Sequence, residues 1–427
     1  MLETLGNKGD AAEPFSLLSI DDEPERHLKR SEAYARQKFP QKPAPRATRP
    51  TQKPERLRIG YFSSDFNDHP VAYLLAKVIE SHDRDQFEVY GYSLSLPKMD
   101  AMRNRLSKAF DNFSDVHSYS DDQIIRLAQD HGIDIAIDLT GYTKNKRSNI
   151  FSYRLAPIQI NYLGFPGSMG ADFMDYIIAD QNLIPAEFQR YYTEKPIYLP
   201  HHYQAQDDEL KIASETPTRS SLGLPEKAFV FCAINNTYKI SPREFDIWMR
   251  LLKNVNGSVL WLLEANKWVK ENLIKEASTR GVSSERLVFA QKTSHEKYLA
   301  QFRQADLYLD TFNYNAGATA SNALWAGLPV LTKQGKSYTA RMASSLLKSI
   351  GLPELITKSE AEYENLALTL AQNSEQLVSI KQKLALNRKT EPLFNTKLFT
   401  RHLENGYNQA YQNYFDGKEP DTIFVPH

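Results

Sequence analysis

The feature that most constrains the fold begins at Leu57, where short apolar runs bounded by turn residues alternate with longer segments of helical periodicity. Short runs that are apolar throughout are typical of parallel strands, which are buried on both faces of their sheet. Parallel strands need long crossover connections, and the helical segments provide them. The alternation therefore predicts an α/β fold built on doubly wound parallel sheets.

The alternation falls into two series, which predicts two Rossmann-like domains facing across a cleft. The first series predicts strands at 57–62, 87–92, 133–139 and 159–163, with helices at 71–82 and 121–131. The second predicts strands at 229–233, 258–263, 287–290, 307–309 and 330–331, with helices at 242–254 and 340–350. A polar segment at about 201–217 separates the series, so we place the domains at 57–215 and 216–427.

Residues 1–56 are predicted to form a charged lead-in and a linker. Asp21, Asp22 and Pro24 are typical of a helix start, and 41–55 is rich in Pro, Lys and Arg. The first residues contain no apolar signal-peptide core, and no run of about 18 apolar residues occurs. The single cysteine, Cys232, lies in an apolar run and is interpreted as a core residue. These observations predict a cytoplasmic protein in a reducing compartment.

The charge balance restricts the kinds of partner. The chain has 52 Lys and Arg residues and 52 Asp and Glu residues, so its net charge is zero. A neutral chain lacks the broad positive field that holds nucleic acid or an anionic membrane. We therefore expect neither partner, and any anionic ligand must be held by a local site.

Two segments of the second series have the residue types of a phosphate site. Residues 313–322 (NYNAGATASN) follow a strand and precede a helix. Small residues let the backbone approach a phosphate, and the N–H groups of a helix N-terminus then point at the anion. Residues 235–239 (NNTYK) place amides and the ammonium of Lys239 after another strand. The alternative for 313–322 is a small-residue turn with a Ser or Thr cap, and the alternative for 235–239 is a solvated helix entry.

Two further candidates follow strands of the first series. His69 ends the segment 63–69 and is able to exchange a proton near neutral pH, although a lone loop histidine is more often structural. Gly164 lies in a loop rich in Gly and Pro, which either presents N–H groups to a ligand or is simply a turn. No Cys or His cluster has zinc spacing, and no Asp-x-Asp pair suggests a metal–nucleotide site. We therefore predict no metal and no cofactor.

Taken together, these motifs resemble the catalytic region of the O-linked N-acetylglucosamine transferase family, which includes plant Spindly-type proteins and bacterial relatives. The resemblance runs from about Leu57 to Pro420. The matching blocks, in chain order, are Leu57–His69, Gly141–Lys144, Ala156–Asp180, Tyr238–Ile240, Ser258–Leu263, Leu324–Gly327 and Pro392–Lys397. Several blocks in one order are far more specific than any single motif.

The resemblance implies a GT-B fold and an inverting, metal-independent transfer of GlcNAc from UDP-GlcNAc to Ser or Thr of a protein acceptor. It places the acceptor in domain 57–215 and the nucleotide sugar in domain 216–427, with the C-terminal helices packing back on the first domain. His69 and Lys239 are the implied catalytic residues. The implied donor-binding residues are Gly164, Asn236, Lys239, Thr293, His295, Tyr298, Gln301, Gly317, Ala318, Thr319 and Asn322.

The sequence departs from the animal members at the donor site. Gly317 stands where they have His, and Asn322 where they have Asp. His295, Tyr298 and Gln301 stand where they have Lys, His and Arg. Four alternatives therefore stay open: a UDP-GlcNAc 2-epimerase-like enzyme, a GDP-fucose donor, transfer to Asn, and a non-catalytic nucleotide-sugar-binding protein. No tetratricopeptide array is evident in the chain.

Overall fold

A computed structural model describes residues 5–6, 11–39 and 49–427. Most of the predicted linker, up to residue 48, lies outside the described residues. The chain forms two compact units. Unit 1 consists of the described residues of Met1–Leu18, with Glu23–Asp208 and Asn395–His427. Unit 2 consists of Ser19–Asp22 and Glu209–Phe394.

The strands are numbered in chain order. They are β1 Leu57–Ser63, β2 Phe87–Ser93, β3 Asn112–Asp115, β4 Ile135–Asp138, β5 Ile158–Asn161, β6 Tyr176–Ala179, β7 Lys195–Tyr198, β8 Val230–Ala233, β9 Val259–Leu263, β10 Leu287–Ala290, β11 Leu307–Leu309, β12 Val330–Lys333, β13 Ile356–Thr357 and β14 Ile423–Phe424.

The helices are numbered in the same way. They are α1 Pro14–Leu17, α2 Pro24–Lys38, α3 Pro70–Ser81, α4 Ala101–Ala109, α5 Asp121–Asp130, α6 Asn149–Ser152, α7 Pro242–Asn254, α8 Lys267–Thr279, α9 His295–Gln301, α10 Ala318–Ala326, α11 Met342–Ser349, α12 Glu360–Gln372, α13 Ser374–Thr390 and α14 Thr396–Phe415.

The sheet of unit 1 has the order β3-β2-β1-β4-β5-β6-β7-β14, and its paired strands are parallel. The chain runs outward from β1 in one direction and from β4 in the other. Ligands of such sheets bind outside the carboxyl ends of the strands at this reversal. In unit 1 these ends carry the segment that begins at Ser63 and the segment that begins at Asp138.

The sheet of unit 2 has the order β10-β9-β8-β11-β12-β13, which is the Rossmann order, again with parallel pairs. Its core includes the fully buried Trp248 and Trp261. Cys232 is buried in β8, and burial raises the pKa of its thiol to about 12, as expected for a core residue. The reversal lies between β8 and β11, so the loops after these two strands are the expected ligand site.

The predicted doubly wound α/β architecture is confirmed in both units. Each strand predicted from an apolar run is present within two residues of its expected bounds. Among the strands that the sequence did not reveal, β3 is a polar edge strand and β7 contains Pro196, so both lack a clear apolar run. The missed strand β6 is apolar but only four residues long.

The C-terminal segment belongs by its contacts to unit 1, although most of its sequence neighbours belong to unit 2. Helix α14 packs on α3. His82 Nδ1 lies 2.9 Å from Glu404 Oε1, and the hydroxyls of Tyr61 and Tyr407 lie 3.3 Å apart. After the short excursion at Ser19–Asp22, the chain passes from unit 1 to unit 2 between Asp208 and Glu209, within the polar segment that the sequence marked as a connection.

Candidate functional site

Lys239 is placed at the reversal of the unit 2 sheet by the loop after β8. A short 3₁₀ turn, Thr237–Lys239, turns its side chain inward, where it is buried. Its Nζ donates a hydrogen bond to the carbonyl of Asn315 at 3.0 Å and lies 3.9 Å from the ring centroid of Tyr314. A cation over an aromatic face is stabilised by the ring quadrupole. The ammonium has three N–H donors, so it is able to hold Asn315 and an anion together.

The electrostatics of this site couple two buried groups. Burial lowers the pKa of Lys239 to about 8, and the nearby Asp310 carboxylate opposes that shift. Burial also raises the pKa of Asp310 to about 7. Lys239 is therefore mostly protonated at neutral pH, and a bound anion would stabilise that form further.

Asp310 fixes the turn that carries Asn315. Its Oδ1 accepts hydrogen bonds from the backbone N–H groups of Thr311 at 2.9 Å and Ala316 at 2.7 Å. Its Oδ2 accepts one from Thr332 at 2.7 Å. The sequence analysis did not identify Asp310 as a functional residue. The available signal was an acidic residue at the carboxyl end of a buried strand.

Helix α10 begins beside this turn, with Gly317 as its N-cap and no side-chain hydrogen bond to its first turn. The first N–H groups of a helix have no partner within the helix, and its dipole favours an anion there. Ser321 does not cap, because its hydroxyl donates to the carbonyl of Ala318 at 3.0 Å. Thr319 is hydrogen-bonded to the hydroxyl of Tyr298, which connects α10 to α9.

A cavity of about 810 Å³ in unit 2 adjoins β9 and β10. Thr293 and Gln301 line it, together with Trp261 and part of the segment 213–222. Within the described part of the chain, the buried Nε1 of Trp261 and Nε2 of Gln301 have no hydrogen-bond partner. Buried donors are costly when unpaired, so this cavity is suited to a ligand with acceptor atoms. Neither Trp261 nor 213–222 was identified from the sequence, because only the fold brings them to Gln301.

The remaining predicted donor residues lie on the segments that follow β8, β10 and β11. His295 begins α9, and its ring centroid lies 6.1 Å from that of Tyr298. Asn236 is an exposed residue at the start of the turn that carries Lys239. Asn322 lies within α10 and is partly exposed. The structure therefore places the predicted residues of 216–427 after the carboxyl ends of β8, β10 and β11 of one sheet, and β8 and β11 form its reversal.

His69 is the N-cap of α3 in unit 1. Its Nδ1 accepts a hydrogen bond from the backbone N–H of Val71 at 3.3 Å, and Asp65 Oδ2 lies 3.7 Å from the same atom. Burial lowers the pKa of His69 and so favours the neutral ring, while the nearby Asp65 carboxylate opposes that shift. A neutral imidazole whose Nδ1 accepts carries its proton on Nε2. In this arrangement His69 offers a donor at Nε2 and not a proton acceptor.

Gly164 lies in unit 1 and is separated in the chain from the predicted residues of 216–427. Its N–H donates to the carbonyl of Tyr162 at 2.9 Å, and a Cβ at this position would lie 2.0 Å from the carbonyl oxygen of Leu139. Close packing of two loops therefore requires glycine here. The preceding Leu163 has a φ of 70°, a left-handed conformation that strains a leucine.

Among the residues that the structure describes, no group of three or more His, Cys, Asp or Glu side chains could hold a metal ion. No helix in the same residues has the length and apolarity needed to cross a membrane.

Residues 37–214 and 201–403 of the chain match the family model of glycosyl transferase family 41. The probable UDP-N-acetylglucosamine–peptide N-acetylglucosaminyltransferase SEC of Arabidopsis thaliana is 34% identical over 377 residues, which are 87% of this chain and 39% of that protein. The corresponding Caenorhabditis elegans enzyme is 28% identical and covers 87% of this chain and 42% of its own length. The chain thus spans about two fifths of these relatives.

A solved structure supports the same relationship. A mutant of the Thermobaculum terrenum O-GlcNAc transferase superposes with a TM-score of 0.86 at 30% sequence identity. The match covers 94% of this chain and 78% of that one. The GT-B fold class predicted from the sequence is thereby confirmed.

Proposed function

Because the chain belongs to glycosyl transferase family 41, we propose that it transfers N-acetylglucosamine from UDP-GlcNAc to a Ser or Thr hydroxyl of a protein. The observation that carries the proposal is the placement of the buried Lys239 and the N-terminus of α10 around one turn, at the reversal of the unit 2 sheet. Both features favour a diphosphate. The relatives with matching names act, by those names, on UDP-GlcNAc and peptides.

The chemistry we propose is a direct displacement. The acceptor oxygen forms a bond to the anomeric carbon on the face opposite UDP, while the bond from that carbon to the β-phosphate oxygen breaks. The configuration is inverted, the proton of the acceptor hydroxyl passes to a phosphate oxygen of the departing diphosphate, and UDP leaves. Negative charge grows on the β-phosphate, and fixed donors around it lower the barrier. Lys239 and the first N–H groups of α10 are the donors that we assign to this role.

His69 is proposed to act on the acceptor. The Val71 N–H bond to its Nδ1 leaves Nε2–H as the group that the ring offers. An N–H group at Nε2 donates a hydrogen bond to the hydroxyl oxygen of the acceptor protein. This bond orients the hydroxyl, with a lone pair directed away from the N–H, but it does not remove the hydroxyl proton. We therefore assign His69 an orienting role and not that of a general base.

The uracil base is proposed to occupy the cavity lined by Thr293 and Gln301. Uracil has two carbonyl oxygens, and the unpaired donors of Trp261 and Gln301 are suited to such acceptors. The ribose is assigned to Asn322, whose amide is able both to donate to and to accept from a hydroxyl.

We expect UDP to bind more tightly than GDP. We also expect Gln301→Leu to weaken UDP binding by roughly 5- to 150-fold, which corresponds to the loss of about 1–3 kcal/mol when one buried partner is left unsatisfied. Isothermal titration calorimetry with both nucleotides measures this. Gln372→Leu, at an exposed position at the end of α12, is the control and should bind like the parent protein. Tighter binding of GDP would instead favour fucosyl transfer.

The reaction itself is tested by incubating the protein with labelled UDP-GlcNAc and a protein mixture. Mass spectrometry should find GlcNAc on Ser or Thr. GlcNAc attached to Asn would instead support an Asn-directed transferase. A free epimerised sugar nucleotide would support a 2-epimerase-like enzyme, and nucleotide binding without turnover would support a non-catalytic binding protein.

We expect transfer to proceed at an unchanged rate in excess chelator, since the proposed mechanism neutralises the leaving diphosphate with Lys239 and helix N–H groups. Donor turnover is measured with and without EDTA, then after adding Mn²⁺ or Mg²⁺. A loss of turnover in EDTA that either ion restores would contradict the metal-independent mechanism.

A further inference from the structure

The segment Ser19–Asp22 belongs by its contacts to unit 2, whereas the described residues on both sides of it belong to unit 1. Asp22 binds the turn after β12. Its carboxylate accepts hydrogen bonds from the backbone N–H of Lys336 at 2.9 and 3.1 Å and of Ser337 at 2.7 Å. Two N–H groups on one carboxylate make a charge-assisted contact, which is stronger than a neutral one.

The turn is shaped to receive this carboxylate. A Cβ on Gly335 would lie 2.1 Å from Asp22 Oδ2 and 2.7 Å from the Cβ of Ala340. Glycine is therefore required for the close approach. The N–H of Gly335 donates to the carbonyl of Ala340 at 2.8 Å, and Arg341 donates to the carbonyl of Gly335 at 2.8 Å.

Hydrogen bonds connect this turn to the Lys239 site. Ser337 Oγ lies 3.2 Å from Thr339 Oγ1, which donates to the carbonyl of Asn313 at 2.8 Å. The carbonyl of Thr339 accepts from the N–H of Asn315 at 2.9 Å. The carbonyl of Asn315 is the one that holds Lys239 Nζ.

The same segment has a second contact with this turn. Asn313 Nδ2 donates to the carbonyl of Ser19 at 3.1 Å. Ser19 therefore contacts the 313–315 turn directly, through Asn313. Asp22 is connected to the same turn indirectly, through residues 335–339.

We propose that Asp22 is a positioning residue for the diphosphate site: it holds the 335–339 turn, which sets the 313–315 turn and so the position of the Lys239 ammonium. This rests on the proposed function for the identity of the anion. The positioning of Lys239 itself is a property of the free protein.

The test compares Asp22→Ala, Asp22→Asn and Asn373→Ala. Asn373 caps α13 through its bond from Gln376 N–H at 3.1 Å, so its loss removes a similar contact elsewhere in unit 2. We expect Asp22→Ala to raise the Kd for UDP and the KM for the donor about tenfold, with the acceptor KM unchanged. Asp22→Asn keeps an acceptor oxygen and should restore part of the affinity. Asn373→Ala should bind UDP normally.

A second readout needs no nucleotide. Trace labelling of lysines with acetic anhydride at several pH values, followed by mass spectrometry, gives the reactivity of Lys239. Asp22→Ala should change that profile, and Asn373→Ala should not. If Asp22→Ala leaves the Lys239 profile unchanged, or weakens UDP no more than Asn373→Ala, the positioning role is wrong. If the parent protein binds no UDP but the profile still changes, the positioning role stands and the proposed function fails.

Discussion

Lys239→Met is expected to reduce transfer by about 10²- to 10³-fold, as when one preorganised donor is removed from the site of developing charge. Methionine retains most of the side-chain length, so the stem still packs beside Tyr314 and the fold should be preserved. The affinity for UDP should also fall, since the bound diphosphate is already charged. Steady-state kinetics and calorimetry measure both effects, with circular dichroism to check folding.

The control and the pH dependence make this prediction specific. Lys383→Met removes an equal charge from an ion pair with Glu354, 2.8 Å away on the surface, and should leave transfer unchanged. Lys239 has a pKa of about 8 in the free protein because it is buried, so its charge is present below that pH and lost above it. The affinity for UDP should therefore decline as the pH rises through about 8, and the decline should be absent in Lys239→Met. Near-normal transfer by Lys239→Met would refute its proposed role.

His69→Asn is expected to lower turnover by about 10²-fold or more while the Kd for UDP stays nearly unchanged, because the ring is assigned to the acceptor. Asparagine is a preferred N-cap, so this variant keeps a side-chain acceptor for Val71 N–H and removes the imidazole alone. His69→Ala removes both, and should add a loss of stability of about 1 kcal/mol. Turnover, UDP affinity and thermal unfolding are measured for both variants.

This pair of variants separates two roles of one residue. If His69→Asn transfers normally and only His69→Ala is impaired, His69 is a helix cap and nothing more. If His69→Asn loses UDP binding while remaining folded, His69 belongs to the donor site and not to the acceptor side.

The fold was largely predictable because its signal is local. Buried parallel strands are mostly apolar, so their runs are visible in the sequence, as at Leu57–Ser63 and Val230–Ala233. Strands that depend on a neighbour to exist, such as β3 and β14, leave no such run. The location of Asn395–His427 in unit 1 likewise depends on which surface α14 buries its aromatic face against, and periodicity does not reveal the partner.

At the candidate site, the sequence determined which chemical groups are available and at which strand ends they occur. Lys239, the small residues at 316–318 and His69 could all be named from it. The tertiary structure alone decided their partners: that Asn315 O and Tyr314 hold the ammonium, that Asp310 and Asp22 brace the turn, and that Nδ1 of His69 is already used. The physical reason is that a hydrogen bond joins atoms that are close in space, and Asp22 and Ser337 become close only when a chain segment far removed in sequence folds onto unit 2.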